Sequence, residues 1–160
     1  MQLRNEEAIV EFIAELLPKP KKIIEVGVGK LPKIALKLSE KFPEAEIIVT
    51  DIDSQIIQQI GQQYPQIKAI KDDITKPNIE LYQNADLIYS IRPPPELAPY
   101  LLKLAKKIGV PLIIRPLSSE THEIQSILEK AKVIHFKQAT LILLRQAKIT
   151  QEKKNNKIRS

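Results

Sequence analysis

Three carboxylates stand at the ends of short apolar runs, and two arginines stand at the ends of two more. Glu25 follows Ile23-Ile24 and leads into Val26-Gly27-Val28-Gly29; Asp51 follows Ile47-Ile48-Val49-Thr50; Asp73 lies just past the run that starts at Ile67. A charged side chain inside a strand is expensive to bury, so a polar group must answer Glu25. The alternative is a purely structural role, with Glu25 in a salt bridge to a nearby lysine or arginine. A Gly-x-Gly turn between strand and helix, with an acid ending the next strand, is how α/β folds hold nucleotide-like ligands. Of the neighbouring acids, Asp53 reads as a helix cap and Asp72 as a solvated side chain.

The arginines suggest a second patch of chemistry. Ser90-Ile91-Arg92-Pro93-Pro94 and Ile113-Ile114-Arg115-Pro116 each end an apolar run on an arginine held before a proline. If these runs are neighbouring parallel strands, Arg92 and Arg115 emerge at one sheet edge. Two guanidinium groups side by side repel unless an anion or carboxylate lies between them. Ser118 and Ser119 could add hydroxyl and backbone donors there. Ser90, Arg92, Pro93, Arg115 and Ser118 are therefore the candidates for binding a substrate carboxylate or phosphate. The alternative is that the arginines pair with internal acids such as Glu96 and Glu120.

The elements that must carry these residues alternate regularly. Asn5 is expected to cap a first helix whose apolar face runs through Ile9, Ile13 and Leu17, stopped by Pro18 and Pro20. Strands are expected at Lys22–Val26, Ile47–Thr50, Ile67–Lys71, Asp86–Ile91 and Leu112–Arg115. Pro32 sits where a helix begins, and Leu31, Ala35, Leu38 and Phe42 would line its inner face. Further helices follow from Asp53 or Ser54 to Tyr64, from Glu96 to Ile108 and from Ser119 to Lys130. The runs Val133–Lys137 and Thr140–Arg145 are joined too tightly for a crossover and must form an antiparallel hairpin. The fold class is thus α/β, three-layered and Rossmann-like, with a mostly parallel seven-stranded sheet covered on both faces.

Composition narrows the function classes. The chain has 160 residues, no cysteine and two isolated histidines, which excludes a thiolate nucleophile and a cysteine- or histidine-rich metal site. No apolar run approaches the ~20 residues of a membrane span, and the N-terminus does not resemble a signal peptide, so a soluble cytoplasmic protein is expected. Of the net charge of +6, half lies in the last ten residues. Residues 1–147 read as one domain, and 148–160 as a basic, disordered tail. That tail is either solubilising or a non-specific contact for nucleic acid.

This organisation resembles the class I S-adenosylmethionine-dependent methyltransferase domain over about residues 5–147. Tyr89-Ser-Ile-Arg-Pro-Pro-Pro-Glu-Leu and Ile114-Arg-Pro-Leu-Ser-Ser-Glu are similar, more narrowly, to a short and largely archaeal family of uncharacterised proteins with that fold. The resemblance implies that Glu25 meets the methionyl amino group and that Gly27 and Gly29 let the backbone approach the cofactor. It further implies that Asp51 takes the ribose hydroxyls, with Ile52 beside it, and that Asp73 and Ile74 contact adenine. A sulfonium and an ammonium favour a site with several carboxylates. Leu31 stands where the motif usually has its third glycine, which would narrow the pocket or push the loop outward.

Two other readings remain open. Gly27-x-Gly29-x-x-Pro32 is an incomplete Gly-x-Gly-x-x-Gly, so NAD is a competing ligand. Proline in the third position and Glu25 in the strand both count against it. Amino-methylating relatives carry Asn or Asp before the Pro-Pro pair; Arg92 cannot accept a hydrogen bond from an amine, so base N-methylation by that route is disfavoured. A methyltransferase for a small or anionic acceptor, and a non-catalytic nucleotide-binding regulatory protein, are both consistent with the residues.

Overall fold

The computed structural model describes residues 2–146, with side chains from residue 5 onward; the basic tail lies outside the described residues. The chain runs α1 (Gln2–Leu16), β1 (Lys22–Val26), α2 (Lys33–Lys41), β2 (Glu46–Asp51), α3 (Ser54–Gln63) and β3 (Lys68–Lys71). After a single helical turn, α4 (Ile79–Tyr82), come β4 (Leu87–Ile91), α5 (Ala98–Ile108), β5 (Leu112–Arg115), α6 (Thr121–Leu128), β6 (Lys132–Phe136) and β7 (Ala139–Leu144). One-turn 3-10 segments, Pro95–Leu97 and Ser118–Glu120, lead into α5 and α6.

The strands form one seven-stranded sheet in the order β3-β2-β1-β4-β5-β7-β6. β1, β2, β4 and β5 are near-continuous runs of isoleucine, leucine and valine because both their faces are covered. β3 and β6 are half-buried and interrupted by lysine or histidine, as suits the two edges. The first five strands are parallel, and β7 runs antiparallel between β5 and β6. The expected hairpin is therefore present, with its second strand inserted against β5. α1, α2 and α3 bury Ile9, Ile13, Leu38 and Ile60 against one face of the sheet. α5 and α6 bury Leu101, Leu104, Ile124 and Leu128 against the other. No helix among the described residues is long and apolar enough to cross a membrane.

Three local expectations are corrected. α1 begins at Gln2, so Asn5 lies inside the helix and does not cap it. In the amide orientation that satisfies both neighbours, Asn5 accepts from Arg115 Nη2 at 3.1 Å and donates to the Gln138 carbonyl at 3.0 Å. α6 ends at Leu128 rather than Lys130, because Glu129 turns to a φ of +53° ahead of β6. Leu31 precedes α2 and is 63% exposed, so it is not part of that helix's inner face, where Ile34, Ala35 and Leu38 are buried.

The chain order reverses between β1 and β4. In an open α/β sheet this switch point opens a crevice beyond the carboxyl ends of the strands. Among the described residues, the buried polar side chains are Glu25, Thr50 and Ser90, and all three sit at that end of the sheet.

Candidate functional site

Glu25 and Tyr89 are register partners across the switch point, so their side chains lie side by side on the same face of the sheet. Tyr89 donates its hydroxyl to Glu25 Oε1 at 2.7 Å, and both residues are buried. A hydroxyl, rather than the salt bridge of the alternative reading, therefore answers Glu25; among the described residues no lysine or arginine pairs with it. Burial pushes the Glu25 carboxyl up to about 8, opposed by the Tyr89 hydrogen bond and reinforced by the charge of Asp51.

The turn after β1 is held from below by β2. The N–H groups of Gly27 and Val28 both donate to the Thr50 carbonyl at 2.9 Å, and Gly29 N–H donates to Asp51 Oδ2 at 3.0 Å. Gly27 and Gly29 both adopt a φ of +71°, where a side chain is strained. A Cβ at either position would meet nothing within 4 Å. Backbone conformation, rather than crowding within the protein, is what requires glycine here. Ser90 Oγ donates to the Val26 carbonyl at 2.8 Å and Thr50 Oγ1 to the Glu25 carbonyl at 3.2 Å, tying β4 and β2 to the end of β1.

A cavity of about 350 Å³ opens beside this turn. Gly27, Asp51 and Ile52 line it from β1 and β2, Asp73 and Ile74 from the end of β3, and Ser90, Arg92 and Pro93 from the end of β4. Asp51 Oδ1 accepts from Asp53 N–H at 3.0 Å, and Asp53 caps α3 as expected, accepting from Gln55 and Ile56. Asp73 accepts from both the N–H and the hydroxyl of Thr75, bonds that hold its carboxyl below its ordinary range. Asp72 is more than a solvated neighbour: it accepts the Tyr82 hydroxyl at 2.6 Å and Asn78 N–H at 3.0 Å, and it too lines the cavity.

A second cavity of about 270 Å³ lies on the Glu25 side, and Ile91 and Arg92 border both. Ile91 and Arg115 are register partners, and Arg92 N–H donates to the Arg115 carbonyl at 2.6 Å, so the two arginines do emerge together. Arg92 takes a φ of +51°, an unusual conformation for a residue with a Cβ. Partial burial lowers the affinity of Arg115 for its proton, and the charge of Arg92 adds to this; Glu6 opposes it. Neither arginine is ion-paired with Glu96 or Glu120 among the described residues.

Most of the sequence-derived candidates are therefore drawn together, in two adjoining cavities. Gly29 braces Asp51 from the turn, while Glu25 and Arg115 line the second cavity, not the first. Ser118 is exposed and lines neither. Tyr89 and Glu6 were not foreseen. Tyr89 reads as an ordinary apolar strand residue until β1 and β4 are paired, and Glu6 as a first-turn helix acid until α1 is laid over the sheet.

The model of an uncharacterised protein family, UPF0146, matches residues 7–146. The chain belongs to this family. The UPF0146 protein of Methanocaldococcus jannaschii is 45% identical over 121 residues, covering 72% of this chain and 82% of its own. Among solved structures, a TehB-like S-adenosylmethionine-dependent methyltransferase from Corynebacterium glutamicum superposes with a TM-score of 0.63 at 15% identity, over 88% of each chain. Human N-acetylserotonin methyltransferase in complex with S-adenosylmethionine gives 0.66 at 15% identity, over 89% of this UPF0146 chain and 52% of its own. The fold is that of the class I S-adenosylmethionine-dependent methyltransferases.

Proposed function

We propose that this UPF0146 protein binds S-adenosylmethionine, with the adenosyl part in the first cavity, and transfers methyl to a small or anionic acceptor. The observation that carries the cofactor reading is the state of the glycine turn. A dinucleotide pyrophosphate needs free N–H groups at such a turn. Here the N–H groups of Gly27, Val28 and Gly29 already donate to Thr50 and Asp51. Three carboxylates, Asp51, Asp72 and Asp73, and one arginine line the cavity, which further disfavours NAD or ATP and suits a cationic ligand. Ile52 and Ile74 supply apolar surface for adenine, Asp51 retains acceptor capacity for ribose hydroxyls, and Glu25, which lines the adjoining cavity, is the acid that would answer the cofactor's ammonium. Leu31, exposed and absent from this cavity's lining, does not narrow it.

When bound, the cofactor supplies a methyl group on a sulfonium, an electrophile that an acceptor lone pair can take directly. Positioning and exclusion of water then account for most of what the protein must contribute. A non-catalytic binder of the same cofactor is the second reading, favoured by Arg92 standing where amino-methylating relatives hold their acceptor.

Calorimetric titration with S-adenosylmethionine, S-adenosylhomocysteine, NAD and ATP tests the ligand. The two adenosyl-sulfur compounds should bind, and Asp51→Ala should weaken them at least tenfold. Tighter binding of NAD, or unchanged affinity in the variant, would refute the reading. Transfer of labelled methyl into an archaeal extract then separates an enzyme from a binder.

A further inference from the structure

We propose that the edge of the sheet opposite both cavities is a docking surface for single-stranded RNA, which it holds by the phosphates. β1 to β6 all begin at this edge and β7 ends there. Seven strands ~4.8 Å apart make it about 29 Å long. Its side chains are cationic. Lys19 and Lys21 lead into β1, and Lys41 closes α2. Lys106 and Lys107 close α5, Lys132 opens β6 and Arg145 follows β7. All of these are exposed, and among the described residues none is in an ion pair. The acids closest to them along the chain, Glu40, Glu44 and Glu129, are fewer. Glu46 is already paired with Lys68 at 3.9 Å, and Asp86 accepts the N–H groups of Lys21 and Lys22. At the carboxyl edge, by contrast, Asp51, Asp72, Asp73 and Glu120 stand among the cations.

Cations at helix ends have a simpler cause, since they complement the partial negative charge of the last carbonyls. That accounts for Lys41, Lys106 and Lys107. Lys21, Lys132 and Arg145 stand at strand ends, where no helix dipole calls for a cation. Unpaired cations along one edge repel one another, and a polyanion relieves them together. The shape favours a single strand. A groove of about 730 Å³ lies between the connections into β1 and β2, lined by Lys19, Lys21 and Lys41 together with the half-buried Phe42 and prolines. Lysines flanking an aromatic ring offer partners to phosphates and to an unstacked base, which a duplex does not present. Unpaired strands in a cell are chiefly RNA. A lipid surface would call for exposed apolar side chains among the lysines. The large apolar residues that are exposed, Leu31, Ile52, Tyr100 and Leu117, all lie away from this edge. The surface is independent of the cofactor and would hold RNA whatever the first cavity binds.

Fluorescence anisotropy of the full chain with a labelled, mixed-sequence 20-nucleotide RNA strand is the test. Affinity should fall as salt rises, with a log–log slope of about −3 or steeper, as four or more phosphate contacts require. The triple variant Lys19→Gln, Lys21→Gln, Lys41→Gln should weaken binding at least fivefold and make the slope shallower by about 2. The triple variant Lys106→Gln, Lys107→Gln, Lys132→Gln should do the same. Lys30→Gln, Lys71→Gln, Lys76→Gln, at the carboxyl edge, is the control and should leave affinity within twofold. Unchanged thermal unfolding reports that the variants are folded. No binding of the strand at 50 mM salt, or an equal loss in the control, would overturn the inference. So would loss of binding on Lys153→Gln, Lys154→Gln, Lys157→Gln, Arg159→Gln with none in the edge variants, since the tail would then carry the contact. A duplex, a DNA strand of the same sequence or a phosphatidylglycerol vesicle bound ten times more tightly than the RNA strand would also overturn it.

Discussion

A carboxyl raised to about 8 is protonated at neutral pH, and Glu25 therefore couples this protein's stability to pH. Its ordinary value is 4.5, so the folded state holds a proton that the unfolded state has released between about 4.5 and 8. The stability is complete below the lower value and is lost as pH rises through the upper one. Urea titrations at pH 5, 7 and 9 should show that decline, and Glu25→Gln should flatten it, leaving the variant roughly 3–5 kcal/mol more stable than the native protein at pH 9. A native protein as stable at pH 9 as at pH 5 would contradict the buried, unpaired carboxyl. Tyr89→Phe should cost about 1–3 kcal/mol, by leaving a buried acceptor unmet. The special character of Glu25 was legible from its place in an apolar strand. Its partner was not, because Tyr89 is 64 residues away and meets it only through the register of two strands.

At the scale of elements, the turn between β1 and α2 is fixed by backbone conformation, and its hydrogen bonds determine what it can bind. Gly29→Ala has room for its methyl group but not the conformation, so it should destabilise the protein by about 1–2 kcal/mol through strain. Thermal unfolding measures this; a neutral result would mean that the turn relaxes to a negative φ. Strands and their order of succession could be read from apolar runs and prolines. The failures fell at helix ends. Leu31 fits the apolar spacing of α2 but precedes its first turn. Asn5 has a capping residue's chemistry, yet its amide is bonded to Arg115 and Gln138 instead. In both cases contacts or chain direction outside the helix override local preference.

Across the whole molecule, one sheet separates two apolar layers, and its chemistry is concentrated at one end. Three buried polar side chains, the glycine turn and both arginines converge where the strand order reverses. The sequence showed that several strand ends carry acids and arginines. It did not show that β1 divides them between two cavities, because the alternation of side chains across a sheet becomes a division of space only after the helices are in place. That division makes a charge-dependent prediction. S-adenosylmethionine is more cationic than S-adenosylhomocysteine, so its relative affinity should rise between pH 6 and 9 as Glu25 ionises. A ratio that stays constant with pH would remove Glu25 from the cofactor site.

The central claim is that the first cavity holds the adenosyl group of S-adenosylmethionine. A crystal structure of the full chain grown with S-adenosylhomocysteine tests it most directly. The account predicts adenine against Ile52 and Ile74, with the ribose hydroxyls on Asp51. Ligand density elsewhere on the molecule, or an empty first cavity in crystals grown at millimolar ligand, would contradict it.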